Sequence, residues 1–245
     1  MSSLKYSQLN YIARYLKKNI DKDGFLYYFL SLVKRRPLSF PVAVLYSLWV
    51  SRQLTGCSWP IVVRFSGKLI PVNISAKSAN VVVKGNLVIE SWQNGTTPIS
   101  ISLGSAASLI IDGDFTIGQG VKILATSGAS IFLGGRKNSS GSGITCDSMI
   151  MACERIHIGH DVIVAWGVYI TDSDWHAIEG KNAAEPVVIG EHVWISHDVS
   201  VLKGANIGKG SIIGAKSLVV GAIPDRCFAA GVPAKTIKEN ISWSR

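Results

Sequence analysis

Residues 189–224 read IGEHVW ISHDVS VLKGAN IGKGSI IGAKSL VVGAIP, and the first letter of each group of six decides the fold. Ile189, Ile195, Val201, Ile207, Ile213 and Val219 stand six residues apart without a miss. Ile, Leu and Val supply 69 of the 245 residues, so six consecutive hits arise by chance in fewer than about one trial in a thousand. A helix repeats its apolar face every 3.6 residues or so and a half-buried strand about every second residue. A step of six is neither. It is the step of a parallel β-helix, where each short strand forms one wall of a coil and one aliphatic side chain per wall stacks on its equivalent in the next coil. The residue four places on is compact or β-branched (Val193, Val199, Ala205, Ser211, Ser217, Ile223), as a wall turning a corner requires. Glycine in the second place (Gly118, Gly159, Gly190, Gly208, Gly214) suits tight or left-handed backbone.

The same spacing recurs upstream as Ile158, Val164, Ile170 and as Ile111, Ile117, Ile123, with a two-residue slip near Ile156 and breaks near residues 127 and 172–188. An antiparallel sandwich would instead show alternating strands at intervals of about 8–12 residues. Residues 61–235 are therefore expected to form the β-helix, with a loop at 172–188 and a tail at 236–245. Before residue 61 the texture is helical. Leu9, Ile12, Ala13, Leu16 and Ile20 share one face, and apolar helical runs follow at about 25–33 and 41–54. The expected architecture is an all-β core with a helical N-terminal extension over residues 1–60.

At 47% hydrophobic and 17% charged residues the chain is too apolar to be disordered. Its net charge of +9 sits in the first quarter. Residues 1–68 hold 11 Lys and Arg against 2 Asp and Glu, whereas residues 69–245 balance at 14 of each. The repeat region therefore carries no basic excess for a nucleic acid, and no nucleic-acid partner is expected. Neither a signal peptide nor a bilayer-length apolar run is read at the start. The four cysteines form no C-x-x-C pair and are too few for a disulfide scaffold in a chain this long, so a reducing cytoplasm is the expected setting. The basic N-terminal segment has two readings. It caps the open end of the β-helix, or it lies on an anionic membrane through Lys34-Arg35-Arg36 beside its apolar helices.

Ile189 to Ile195, with Gly204-Ala205-Asn206-Ile207-Gly208, Ile213-Gly214-Ala215 and Ala230-Gly231-Val232-Pro233-Ala234-Lys235, resembles the C-terminal half of the hexapeptide-repeat acyltransferases. The resemblance covers about residues 100–240. It implies a left-handed β-helix, a homotrimer, acetyl-CoA as donor and active sites in clefts between subunits. Ile189 stands nineteen positions after Ile170 in place of six, so about thirteen residues leave the prism as a loop, which opens Thr171-Asp172-Ser173-Asp174-Trp175-His176-Ala177-Ile178. In the family the matching loop holds the catalytic histidine, here His176. Acetyl transfer from a thioester to a hydroxyl needs a base, and a histidine of ordinary pKa near 6.5 can take the hydroxyl proton and return it to the departing thiol.

Two readings stand for Asp172 and Asp174: one of them orients His176 through its second ring nitrogen, or each forms a turn. Trp194 ends its hexad facing outward. By resemblance it lines the acceptor cleft, where its N–H or its ring meets the sugar; subunit-interface packing is the other reading. For the donor, the resemblance implies the pantetheine arm near His197 and Ala215, and the nucleotide phosphates near Lys235 and Lys238. Ser196 and Gly221 depart from the family pattern, which often has Gly and Lys there. The registration of His157, His192 and His197 does not reproduce the three-histidine zinc site of related folds, so no metal is expected. The expected activity is acetyl-CoA-dependent O-acetylation of a saccharide or polysaccharide precursor. N-acetylation of an amino sugar, or a catalytically idle trimeric scaffold, is the alternative.

Overall fold

The computed structural model describes residues 39–56, 61–64, 69–136 and 141–245. The helical runs expected at 4–20 and 25–33, and the basic run Lys34-Arg35-Arg36, lie outside the described residues. The third expected helix is present as Ser39–Thr55. It is followed by parallel strands wound into three faces of a triangular prism, a left-handed parallel β-helix.

Each six-residue step moves the chain to the next face, and three steps close a coil. On one face Val164, Ile195 and Ile213 stack in register. The second face stacks Ile123, Ile150, Ile170, Val201 and Val219. The third stacks Ile111, Leu133, Ile158, Ile189, Ile207 and Ile223. Nearly all of these are at or below 1% exposure, and each full burial of such a side chain is worth about 1.5–3 kcal/mol. The compact residues four places on are buried as well, from Val193 to Ser217. Ser211 and Ser217 meet that burial by bonding corner backbone: Ser211 Oγ donates to Pro224 O at 2.8 Å, and Ser217 Oγ to Gly214 O at 2.7 Å.

The hexad glycines serve close stacking. A Cβ on Gly118 would lie 1.4 Å from Thr145 O, and one on Gly208 2.4 Å from Asp225 N. Neither has a positive φ, so of the two reasons open to glycine here the tight approach of successive coils is the operative one.

At the N-terminal end the helix Ser39–Thr55 packs across the first strand of each face. Val50 and Leu54 are buried as part of the core cluster, and Ala43 is buried as well. Tyr46 Oη donates to Ile70 O at 2.8 Å and accepts from Val72 N at 3.0 Å, tying the helix to the open end of a wall. The helix thus covers backbone and core that an uncapped β-helix would expose. At the other end Gly231-Val232-Pro233 turns the chain back, and Ala234–Lys238 pairs antiparallel with Phe228–Gly231. This last strand carries the sheet to Lys238, past the boundary expected at 235. Residues beyond it fold back along an edge of the prism: Ile241 N donates to Arg226 O at 2.9 Å, and Trp243 stacks on His192 at 4.0 Å.

Candidate active site

The excursion expected between Ile170 and Ile189 leaves the edge between the second and third faces. It begins after the strand Tyr169–Thr171 and returns at Val187–Ile189. It then lies down along that edge, beside Leu202, Lys203 and Val220 of the following coils, and encloses a cleft of about 610 Å³. His176 is exposed on this loop. Trp175 before it has a left-handed backbone, φ 62°. Trp175 Nε1 donates to Thr171 Oγ1 at 3.1 Å, and its N–H to Ser173 Oγ at 3.0 Å. These bonds fix the turn that presents His176.

Asp172 and Asp174 do not orient His176, and this corrects the catalytic assignment. Asp172 is fully buried. Its carboxylate accepts the N–H groups of Cys153, Glu154 and Arg155 at 2.7, 2.9 and 2.6 Å. Those three amides belong to the corner of the preceding coil that carries the two-residue slip, where the regular ladder leaves them unpaired. Asp172 is the cap of that irregular corner. Asp174 pairs with Lys203 Nζ at 2.6 Å, and the same Nζ also donates to Asn182 O. One lysine thus ties both limbs of the loop to the prism. Lys203 escaped the sequence reading; its one signal was a cation in the hexad that starts at Val201, two hexads after the loop's return.

Trp194 faces outward from the first face, in register with Ile163 on one side and Ile212 on the other. It is partly exposed, in a stripe of partly buried apolar side chains. The loop edge is the corner opposite this face, so within one chain His176 and Trp194 stand on opposite sides of the triangle. The structure does not bring them together in a single chain.

His197 and Ala215 are neighbours on one edge. They occupy successive coils on the edge between the first and second faces, where Lys216 N donates to His197 O at 3.0 Å. The His197 ring lies flat against Trp166, centroids 5.2 Å apart and planes 9° from parallel. Trp166 was missed in the sequence, although it occupies an outward hexad position as Trp194 does. Lys235 and Lys238 are exposed on the last strand, Lys235 at the lip of a hollow with Val220 and Pro233. An exposed cation pair with backbone-rich corners nearby suits a phosphate-bearing thioester donor. The Cys146 thiol, on the same edge as His197, is pushed up to about 11 by burial, with the Asp147 charge adding. It is protonated near neutral pH and offers no thiolate nucleophile.

Prism, interrupted coil and histidine-bearing loop define a β-helix transferase of the hexapeptide-repeat class. Residues 186–221 match the family model "Bacterial transferase hexapeptide (six repeats)". Among curated proteins, the polysialic acid O-acetyltransferase of Escherichia coli O1:K1 / APEC is 38% identical over 129 residues, 50% of this chain and 41% of that protein. The "Putative lipopolysaccharide biosynthesis O-acetyl transferase WbbJ" of Escherichia coli K12 is 33% identical over 140 residues, 51% of this chain and 69% of that protein. Among solved structures, the polySia-specific acetyltransferase NeuO superposes with a TM-score of 0.52 at 27% identity, over 71% of this chain and 83% of that one. The chain thus spans less than half the length of the first relative and about two thirds of the second. It belongs to the hexapeptide-repeat acetyltransferase family.

Proposed function

We propose that this protein transfers an acetyl group from acetyl-CoA to a hydroxyl of a saccharide, within a homotrimer whose sites are shared between subunits. The observation that carries the reading is the opposition of His176 and Trp194 across the prism. A histidine on one corner and a tryptophan on the opposite face cannot serve one site in a lone chain. A threefold assembly that sets the corner of one copy against the first face of the next would bring them together. The apolar stripe of Ile163, Trp194 and Ile212 gives that face a reason to be covered. The similarity to O-acetyltransferases named for polysialic acid and for lipopolysaccharide biosynthesis supports the chemistry.

In this reading His176 takes the proton of the attacking hydroxyl as its oxygen bonds to the thioester carbonyl carbon. The tetrahedral centre then collapses, the C–S bond breaks, and His176 returns the proton to the sulfur. Trp194 of the neighbouring copy lines the cleft. His197 and Ala215 border the arm of the donor, and Lys235 and Lys238 meet its phosphates.

Two inactive variants test this together. His176→Ala is expected to lower turnover by about 10²- to 10⁴-fold, with acetyl-CoA binding retained. Trp194→Ala is expected to lose activity as well. Subunits of the two variants, mixed and reassembled, should regain part of the wild-type rate, because a mixed trimer contains clefts with both native residues. A monomer in solution, or a mixture as inactive as its parts, refutes the shared site. Mass spectrometry of the product separates ester from amide.

We also propose peripheral contact with an anionic membrane, from the cytoplasmic side. Val42, Leu45 and Trp49 are exposed along the capping helix, next in sequence to the segment that carries the basic excess. No described helix is long and apolar enough to cross a membrane. Co-sedimentation with anionic but not zwitterionic vesicles, reduced by Leu45→Asp, is the expected result; equal behaviour on both vesicle types removes the proposal.

A further inference from the structure

Trp92 and Trp166 stand on one edge of the prism, 46% and 50% exposed. It is the edge that also carries His197. Between them runs a groove of about 500 Å³, bordered by Thr97, Gln119, Thr145 and Asp147. Two indoles with amide, hydroxyl and carboxylate groups between them are the composition of a site for a ligand with apolar faces and many hydroxyls.

The groove is built on fixed parts. Gln119 is buried, and its Oε1 accepts the Trp92 N–H at 2.6 Å. Asp147 N donates to Gln119 O at 2.9 Å, and Asp198 N to Trp166 O at 3.0 Å, so successive coils lock the edge. Gln93 and Asn94 hold left-handed backbone, φ 48° and 59°, in the turn that carries Trp92 outward. The strands leading to this edge are Leu87–Glu90, Phe115–Gly118, Gly143–Ile144 and Ile163–Val164. From the Trp92 coil to the Trp166 coil is therefore three interstrand steps, about 14 Å at about 4.8 Å each. That is longer than one pyranose ring. One more coil leads to His197, against which Trp166 is stacked.

We propose that this edge binds the acceptor as a linear, uncharged oligosaccharide, with sugar rings stacked on Trp92 and Trp166 and hydroxyls bonded by Gln119, Thr145 and Asp147. The inference rests on the transferase reading and sharpens it. A chain lying on the two indoles runs toward His197, where the donor's arm is placed. Asp147 is the one charged side chain lining the groove among the described residues. A polyanion would meet a carboxylate there and no cation, so the favoured acceptor is neutral. In this the protein differs from its polysialic-acid-modifying relatives, whose named substrate carries a charge on every unit.

The test is an array of bacterial surface saccharides, from monosaccharide to hexasaccharide, with neutral and sialylated members of equal length. The full chain is applied as wild type, Trp92→Ala and Trp166→Ala. Wild type should be retained on neutral members of trisaccharide length and above, and not on monosaccharides or sialylated members. Each variant should bind about tenfold more weakly, the loss of about 1.4 kcal/mol. Trp92→Ala should keep wild-type assembly in sedimentation and wild-type acetyl-CoA affinity in equilibrium dialysis. The proposal is overturned by no retention at all, by equal retention of sialylated members, by retention indifferent to both substitutions, or by loss of the wild-type assembly in Trp92→Ala, which would make this edge a subunit contact. Failure of wild type to bind acetyl-CoA would instead remove the transferase reading, a separate readout from the array.

Discussion

Lys203 Nζ lies 2.6 Å from the Asp174 carboxylate, and the lysine side chain is only 16% exposed. The same ammonium donates to the backbone of Asn182 on the other limb of the loop. A cation held between two limbs restrains the segment between them, and that segment carries His176. Lys203→Met keeps the aliphatic stem and removes both contacts. Turnover is expected to fall by roughly ten- to a hundredfold, since small misplacements of a reacting group cost that much. Acetyl-CoA affinity and melting temperature should stay close to wild type. An unchanged rate would show that the loop holds His176 without this anchor.

Asp172 predicts a loss of stability in place of a loss of chemistry. Asp172→Ala removes a fully buried carboxylate and takes the acceptor from the amides of residues 153–155, which are themselves at the surface. Hydrogen bonds to a charged acceptor are worth about 1.5 kcal/mol or more net, and water reaching the freed amides offsets part of the loss, so the cost is about 1–3 kcal/mol, or a drop of roughly 2–12 °C in Tm for a chain of this size. Asp172→Asn retains acceptor oxygen and should lie between the two. A melting curve that overlays wild type would refute the capping role.

Glycine substitutions separate stacking from open surface. Gly118→Ala drives a methyl into Thr145 O, which is backbone and cannot move aside, so the variant is expected to lose more than about 3 kcal/mol. Gly221→Ala meets nothing within 4 Å and needs no left-handed backbone, so its Tm should be unchanged or slightly raised. Equal melting temperatures for the two variants would contradict the close backbone contact of Gly118 with the next coil.

The C-terminal tail has a pH dependence of defined sign. Burial alone would push the Asp161 carboxyl up. Hydrogen bonds from Arg245 and His192, with the charges of Arg245 and Arg136, outweigh it and hold the group below the usual 3.8. A depressed carboxylate contributes stability that is complete above its unfolded value and is lost as pH falls through its folded one. Tail docking should therefore be intact at pH 5 and weaken below about pH 3.8. Acrylamide quenching of tryptophan fluorescence, compared between wild type and Trp243→Phe, reads this directly. Quenching of Trp243 that is as slow at pH 2.5 as at pH 5 would rule out Asp161 as the latch.

Much of the fold is legible in the sequence because a β-helix is a local repeat. Ile189 to Val219 predict their own stacking: the chain meets the same three walls in the same order, and each inward side chain finds its partner one coil away. The compact fourth places and the second-place glycines follow from the same geometry. The interruption at 172–188 is visible for the converse reason, since thirteen residues have no wall to occupy. The site was only partly legible. The pattern around His176 marks a loop residue but leaves the purpose of its neighbours open. Asp172 caps a corner nineteen residues upstream, and Asp174 pairs with a lysine twenty-nine residues downstream.

By itself the sequence determined the six-residue winding, the place where it breaks and the imidazole carried there, because each rests on contacts repeated at fixed short intervals. Only the tertiary structure decided that Asp172 and Asp174 hold backbone and Lys203, that His176 and Trp194 stand on opposite sides of the prism, and that Trp92 and Trp166 border one groove. Those relations join residues one or more coils apart, and which side chains meet across an edge depends on the exact length of every corner between them.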